Sequence, residues 1–253
     1  MIMKNIGFIG VGYMGYGIAK NILKHKNYLF VIANKNRKPI DKIVNEGAEE
    51  VKSFEDFANK NLDALIMCVT NTPIAKSISE KISKVLNSKT LIIDITTHNK
   101  TGSMETEQIF KSNNINYIEC PVMGGPGQAE EGILGGIVGG SDENFKLSEP
   151  YLKMFCKDYF YFGPVGMGAK SKLLNNFLSL GNAALVNHLA KTATELGLDL
   201  QKVFDVAKLG SGNSAGLIRI FESLLKGDFK GFKFTATNSV KDLSYIQDLL
   251  KDF

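Results

Sequence analysis

The sequence predicts an α/β domain, doubly wound around a parallel sheet, followed by an all-α domain, the two joined by one long helix. Three observations carry this expectation. Seven short apolar runs, at residues 6–9, 28–33, 64–69, 90–95, 115–122, 133–138 and 159–162, are rich in Ile, Val, Leu and Phe. Unbroken runs of this length suit strands covered on both faces. Amphipathic, capped stretches lie between them, and such alternation winds a parallel sheet. The alternation stops at GPVGMGAK, residues 163–170, after which no strand-like run follows. Two domains are therefore expected, 1–163 and 164–253.

Each element has a local signal. The first run leads through glycines into a helix on which Met14, Ile18 and Ile22 recur every fourth position. Ser53 with Asp56 three residues on forms a capping box. Asn71 and Thr72 precede Pro73, a cap followed by a proline in the first turn. Ser141, Asp142 and Glu143 put a cap and two acids at the positive end of another helix. Residues 171–196 predict the long helix, with Leu174, Leu178, Leu185, Leu189 and Ala193 among its apolar positions. Shorter helices are expected at 199–209, 217–226 and 237–252.

The composition narrows the class. A chain of 253 residues, 44% hydrophobic and 22% charged, is long and apolar enough for one large core or two ordinary ones. The net charge of +4 is spread along the chain, with no basic block of the kind that binds nucleic acid. No run approaches the roughly 18 apolar residues of a membrane helix. The N-terminal apolar run is broken by glycines and lacks a signal-peptide pattern. Cys68, Cys120 and Cys156 are few and widely spaced, as reduced thiols are, so the expected location is cytoplasmic. No Cys/His spacing suggests a metal, and none is expected.

The segment GVGYMG comprises Gly10, Val11, Gly12, Tyr13, Met14 and Gly15, with the spacing G-x-G-x-x-G. It follows an apolar run, opens a helix, and is followed by a second run from Tyr28. That is the setting of a Rossmann-type dinucleotide cradle. Gly10 permits the tight turn, Gly12 the approach of a pyrophosphate, and Gly15 close packing of helix on strand. The helix N-terminus adds N–H groups and a partial positive charge. An acid about 20 residues on normally binds the ribose 2′-OH of NAD. The sequence there is IANKNRK: Asn34 stands in the acid's place, followed by Lys35, Asn36, Arg37 and Lys38. A carboxylate would repel a 2′-phosphate, whereas Arg37 can grip one bidentately. NADP is therefore expected in preference to NAD; the alternative for this cluster is a solvated basic turn.

FIGVGYMGYGIAKN (8–21), ECPVMGGPGQAEEGILGGIVGG (119–140) and GPVGMGAKSKLLNN (163–176) together resemble the β-hydroxyacid dehydrogenase family. That family includes 3-hydroxyisobutyrate dehydrogenases and glyoxylate/succinic semialdehyde reductases. The resemblance runs from the first apolar run to about residue 245. It implies an oxidoreductase transferring a hydride between NADP(H) and a short-chain β-hydroxy acid or its semialdehyde or keto acid. The family motif G-x-G-x-x-x-K-x-x-N-N is matched by Gly166, Gly168, Lys172, Asn175 and Asn176. It implies Lys172 as general acid/base and Asn176 as a substrate-orienting amide. The spacing agrees, because residues four apart share a helix face, and a desolvated lysine suits proton transfer near neutral pH. By the same resemblance Thr96, in Asp94-Ile95-Thr96-Thr97, approaches the nicotinamide or its ribose, and Val69, Thr70 and Asn71 border the adenosine or ribose side. Phe234 and Lys241-Asp242-Leu243 match F-x-x-x-x-x-x-K-D-L, which implies that Lys241 reaches the cofactor from the helical domain. Family members are commonly dimers or tetramers, so a homodimer or homotetramer is expected.

The sequence departs from the family in three places. Where members have P-V-S-G-G, this chain has Pro121-Val122-Met123-Gly124-Gly125. Met123 cannot donate a hydrogen bond. The N–H groups of Gly124 and Gly125 are then expected to form the anion nest for a substrate carboxylate. Gln128 replaces a usual glycine nearby. Members also continue some tens of residues past the K-D-L helix, whereas this chain stops at Phe253. Part of the helical domain's apolar face should then lie bare, which implies a partner subunit that covers it, a truncated chain or a naturally shortened protein. Two rival readings remain open. Imine reductases share the architecture but generally lack the lysine. A non-catalytic NADP-binding module, or a subunit of an assembly, is kept in view by Met123 and the short C-terminus. Of the histidines, His25 reads as a helix C-terminal charge, His98 as a candidate at the site's border, and His188 as a helix-face residue.

Overall fold

The computed structural model describes residues 3–32, 36–228 and 235–251. Its first strands and helices are β1 (Asn5–Ile9), α1 (Tyr13–Lys24), β2 (Tyr28–Ile32), α2 (Arg37–Asn45), β3 (Glu49–Val51) and α3 (Glu55–Ala58). There follow β4 (Ala64–Met67), α4 (Thr72–Ile82), β5 (Leu91–Asp94), α5 (Gly102–Lys111) and β6 (Asn116–Glu119). These six strands form one parallel sheet in the order β3-β2-β1-β4-β5-β6. This is the Rossmann order, with its topological switch between β1 and β4.

Both faces of the sheet are covered, as the unbroken apolar runs require. Successive residues of one strand go to opposite sides: Ile66 joins a core with Ile6, Phe8, Val31 and Ile93, while Leu65 joins Phe57, Ile92, Phe110 and Tyr117 on the other face. The caps form as the sequence predicts. The Ser53 hydroxyl accepts from the Asp56 N–H, and the Asp56 carboxylate accepts from the Ser53 N–H, at 3.3 and 3.1 Å. The Asn71 side chain accepts from Ile74 N–H, and Ser141 from Asn144 N–H.

The last apolar runs do not extend this sheet. β7 (Val122–Met123), α6 (Pro126–Glu131), β8 (Leu134–Val138), α7 (Asp142–Leu152) and β9 (Cys156–Tyr161) follow β6. The three strands form a separate sheet, β7-β8-β9, in which β7 and β8 are antiparallel. The predicted run 115–122 thus splits, with Glu119 at the corner: its backbone exchanges two hydrogen bonds with Gly139, just past β8.

α8 (Met167–Glu195) runs 29 residues, and α9 (Leu200–Leu209), α10 (Ala215–Leu225) and α11 (Ala236–Leu250) complete the described chain without a further strand. The chain divides into two units, Met1–Lys172 and Leu173–Phe253. The division falls inside α8 rather than at residue 163. The first turns of α8 go with the first unit because Gly166, Gly168 and Lys172 are hydrogen-bonded into it. In the second unit, Phe204 and Phe221 stack at 5.2 Å within a core that includes Val186, Leu217 and Ile220. No described helix is long and apolar enough to cross a membrane.

Candidate active site

The cradle forms at the switch point. Gly10 has φ +100°, and a Cβ there would collide with the carbonyl oxygen of Cys68. A Cβ on Gly15 would collide with the carbonyl of Gly10. Gly12 differs: it caps α1 in extended conformation, and a Cβ there meets nothing within 4 Å. The turn is thus closed by Gly10 and Gly15 and open above Gly12, where a phosphate needs room. Val11 is fully buried in the core, Met14 packs against that core, and Tyr13 is exposed, so Val11 offers this edge its backbone.

The ends of β4 and β5 lie beside this turn. The Thr96 hydroxyl accepts from Val69 N–H at 3.3 Å, tying the two strand ends together. Asn71 spends its side chain on the α4 cap. Thr96 is fixed from below by Asp94, whose Oδ1 accepts from Thr96 N–H at 2.9 Å. Asp94 Oδ2 in turn meets His98 Nε2 at 2.9 Å and accepts from the Tyr117 hydroxyl at 3.1 Å. His98 is fully buried, with Nδ1 3.2 Å from the Thr72 hydroxyl, so it braces β5 and does not face solvent at the site. His25 closes α1, its Nδ1 2.8 Å from the carbonyl of Asn21, and His188 lies on an exposed face of α8.

Past β2, Asn34 and Lys35 lie outside the described residues, as does Phe234. Asn36 caps α2 through its side chain. Arg37 is already engaged: Glu50 takes two of its N–H groups at 2.6 and 3.0 Å, and Asp41 a third at 2.7 Å.

A second cluster surrounds Lys172. This residue is buried, 9% exposed, and its Nζ donates to the carbonyl of Val122 at 2.8 Å and to Met123 Sδ at 3.3 Å. β7 therefore holds the lysine through one backbone and one side-chain atom. Glu119, which sequence reasoning passed over, secures the start of its helix. Its Oε1 accepts from Gly166 N–H at 2.7 Å and Gly168 N–H at 2.8 Å. Burial pushes this carboxyl above the usual range, against the pull of those amides. The signal was present: one carboxylate inside an apolar run.

The expected nest is not as open as the sequence suggested. Gly124 is exposed with φ +122°, but the Gly125 N–H donates to Gln128 Oε1 at 2.7 Å. Gln128, three residues into the start of α6, reaches back to the N-cap amide, so its side chain occupies a donor expected to serve a substrate.

In the second unit, Asn176 is buried and its Nδ2 donates to Asp242 Oδ2 at 2.7 Å. Lys241 Nζ pairs with Asp242 Oδ1 at 3.0 Å and lies 5.5 Å from the Tyr245 ring centroid. Asp242, a structural partner rather than a predicted site residue, thus links two that were predicted.

The strand order and the glycine turn at its switch point are those of the dinucleotide-binding class of folds. Residues 5–163 match the model of the NAD binding domain of 6-phosphogluconate dehydrogenase, and residues 166–253 that of the NAD-binding domain of NADP-dependent 3-hydroxyisobutyrate dehydrogenase. The chain belongs to the β-hydroxyacid dehydrogenase family, NAD(P)-binding oxidoreductases that act on CH–OH groups. It is 30% identical to the mitochondrial 3-hydroxyisobutyrate dehydrogenase of Bos taurus over 256 aligned positions, covering 96% of this chain and 74% of that one. It is 27% identical over 211 residues to a Dictyostelium discoideum protein named "Probable 3-hydroxyisobutyrate dehydrogenase, mitochondrial", covering 82% of this chain but spanning only 65% of that relative's length. A solved structure described as Psf3 in complex with NADP+ and 2-OPP superposes with a TM-score of 0.87 at 26% identity, over 96% of this chain and 86% of that one.

Proposed function

We propose that the chain transfers a hydride between NADP(H) and a short-chain β-hydroxy acid or its semialdehyde or keto acid, with Lys172 as general acid and base. The carrying observation is the buried ammonium of Lys172, held on the Val122 carbonyl at 2.8 Å. Bound NADPH supplies the hydride. Lys172 gives a proton to the carbonyl oxygen on reduction and takes it back on oxidation. Gly10, Gly12 and Gly15 seat the pyrophosphate, while Val69, Thr70, Asn71 and Thr96 border the rest of the cofactor. Asn176 orients the substrate, and Lys241 completes the cofactor's surroundings. The names of the relatives support a small hydroxy acid as substrate. NADP is supported by the basic residues after β2 and by the NADP+ complex of the 26%-identical structure. Because Glu50 and Asp41 share Arg37, a 2′-phosphate draws on its remaining N–H groups and on Lys35 and Lys38. The protein acts in the cytoplasm as a homodimer or homotetramer.

Steady-state assays with glyoxylate, succinic semialdehyde, methylmalonate semialdehyde and tartronate semialdehyde test this reading. Lys172→Ala should lower kcat by about 10²–10⁴-fold while NADPH fluorescence still reports binding. Near-normal turnover would remove Lys172 from the mechanism. The kcat/KM with NADPH should exceed that with NADH; equal or better use of NADH would sink the NADP assignment.

A further inference from the structure

We propose that Gln128 and Met123 turn the loop beside Lys172 away from carboxylates, so that the part of the substrate facing this loop is uncharged. The proposal rests on the hydride-transfer reading for its substrate and narrows it.

Three contacts carry the argument. The Gly125 amide, one of the two glycine amides expected to form the nest, is bonded to Gln128 Oε1 at 2.7 Å. Met123 contributes a thioether, which donates nothing, and its sulfur sits 3.3 Å from Lys172 Nζ. That ammonium also donates to the Val122 carbonyl at 2.8 Å. Lys172 Nζ thus meets a sulfur and a backbone carbonyl of β7, while Gln128 Oε1 fills the Gly125 amide. A carboxylate arriving here must displace Gln128 Oε1 to gain the Gly125 amide. A hydroxyl or another neutral polar group meets these atoms as a donor and displaces nothing.

The amide oxygen cannot simply swing away with its helix. α6 is pinned to α1: Asn21 Nδ2 donates to the carbonyls of Ala129 at 2.7 Å and Glu130 at 3.2 Å. Gly17 lets the two helices approach until a Cβ there would stand 2.5 Å from Glu130 N and 2.6 Å from the Ala129 carbonyl carbon. Gln128 is thus held one residue from a docked stretch of backbone. It acts as a specificity-determining residue, standing where a substrate oxygen would otherwise stand.

Binding and turnover separate this proposal from the reading on which it rests. The full chain, loaded with NADP+, is titrated with propionate and with propionamide and followed by ligand-observed NMR. The wild type should bind propionamide at least as tightly as propionate. Gln128→Gly should move the ratio about tenfold toward propionate, the gain of one charge-assisted N–H bond. Gln128→Glu keeps the α6 cap with a charged oxygen and should move the ratio the other way, which guards against an effect of misfolding. A wild type that prefers propionate tenfold, one that binds no propionamide, or a ratio unmoved in both variants would overturn the proposal. So would a Gln128→Gly variant that loses propionate, because Nε2 would then be the carboxylate's ligand. Kinetics with glyoxylate and its neutral counterpart glycolaldehyde complete the test. Failure of the wild type and Met123→Ser to oxidise NADPH with glycolaldehyde, glyoxylate and the three semialdehydes would refute hydride transfer, and the binding ratio would still decide the role of Gln128.

Discussion

Gly10 and Gly12 are two residues apart and should respond to the same substitution in opposite ways. Gly10→Ala puts a Cβ into the Cys68 carbonyl at a φ of +100°, which an L side chain rarely adopts. It should cost on the order of 2–4 kcal/mol of stability. Gly12→Ala meets nothing within 4 Å and keeps its extended backbone. It should leave the thermal midpoint nearly unchanged and weaken NADPH at least tenfold if the open space above it is where the proposed cradle seats the cofactor. Equal NADPH affinity in Gly12→Ala and wild type would reject the cradle. At this scale the sequence was most legible where spacing dictates backbone shape, as for the turn closed by Gly10 and Gly15. It was least legible where a side chain's partner is remote. Nothing in the order of residues says that Gln128 will turn back onto Gly125, or that Asn176 will find Asp242, 66 residues on.

Strands β1, β2, β4 and β5 were legible because both faces of the sheet are covered there, leaving unbroken apolar runs. β3 was missed for the opposite reason: Glu49-Glu50-Val51 is an edge strand with one buried residue. The separate three-stranded sheet was also missed, since periodicity does not tell a strand which sheet to join. Glu119 marks that junction and caps α8, and two measurements test its role. Glu119→Ala orphans two buried amides and should cost about 2–4 kcal/mol in denaturant unfolding. Glu119→Gln can still accept from both. The folded chain raises this carboxyl above its ordinary value of 4.5, so it holds the proton more tightly than the unfolded chain does. The stability this lends is complete below the ordinary carboxylate range and is lost as pH rises through the raised value. Glutamine cannot lose a proton, so the melting temperature of Glu119→Gln relative to wild type should climb between pH 4 and pH 7. A constant difference would show that the carboxyl has no altered titration.

At the scale of the molecule, the second unit carries an apolar stripe on α8. Leu174, Phe177, Leu178, Leu185 and Leu189 fall within one third of the helix circumference, and Leu178 and Leu185 are each 72% exposed. A stripe of this kind supports self-association. Sedimentation equilibrium should give a dimer or tetramer at micromolar concentration, and Leu178→Asp with Leu185→Asp should release monomers. A wild-type monomer at tens of micromolar would refute this assembly. The small sheet has a different consequence. Lys172 hangs from the Val122 carbonyl on β7, and its helix hangs from Glu119 at the corner, both before the segment 124–133 that carries α6. The buried lysine is therefore indexed to the strands and not to the segment that follows them. Descent can exchange Gln128 in that segment without retuning the lysine: a replaceable facing mounted on a fixed amine.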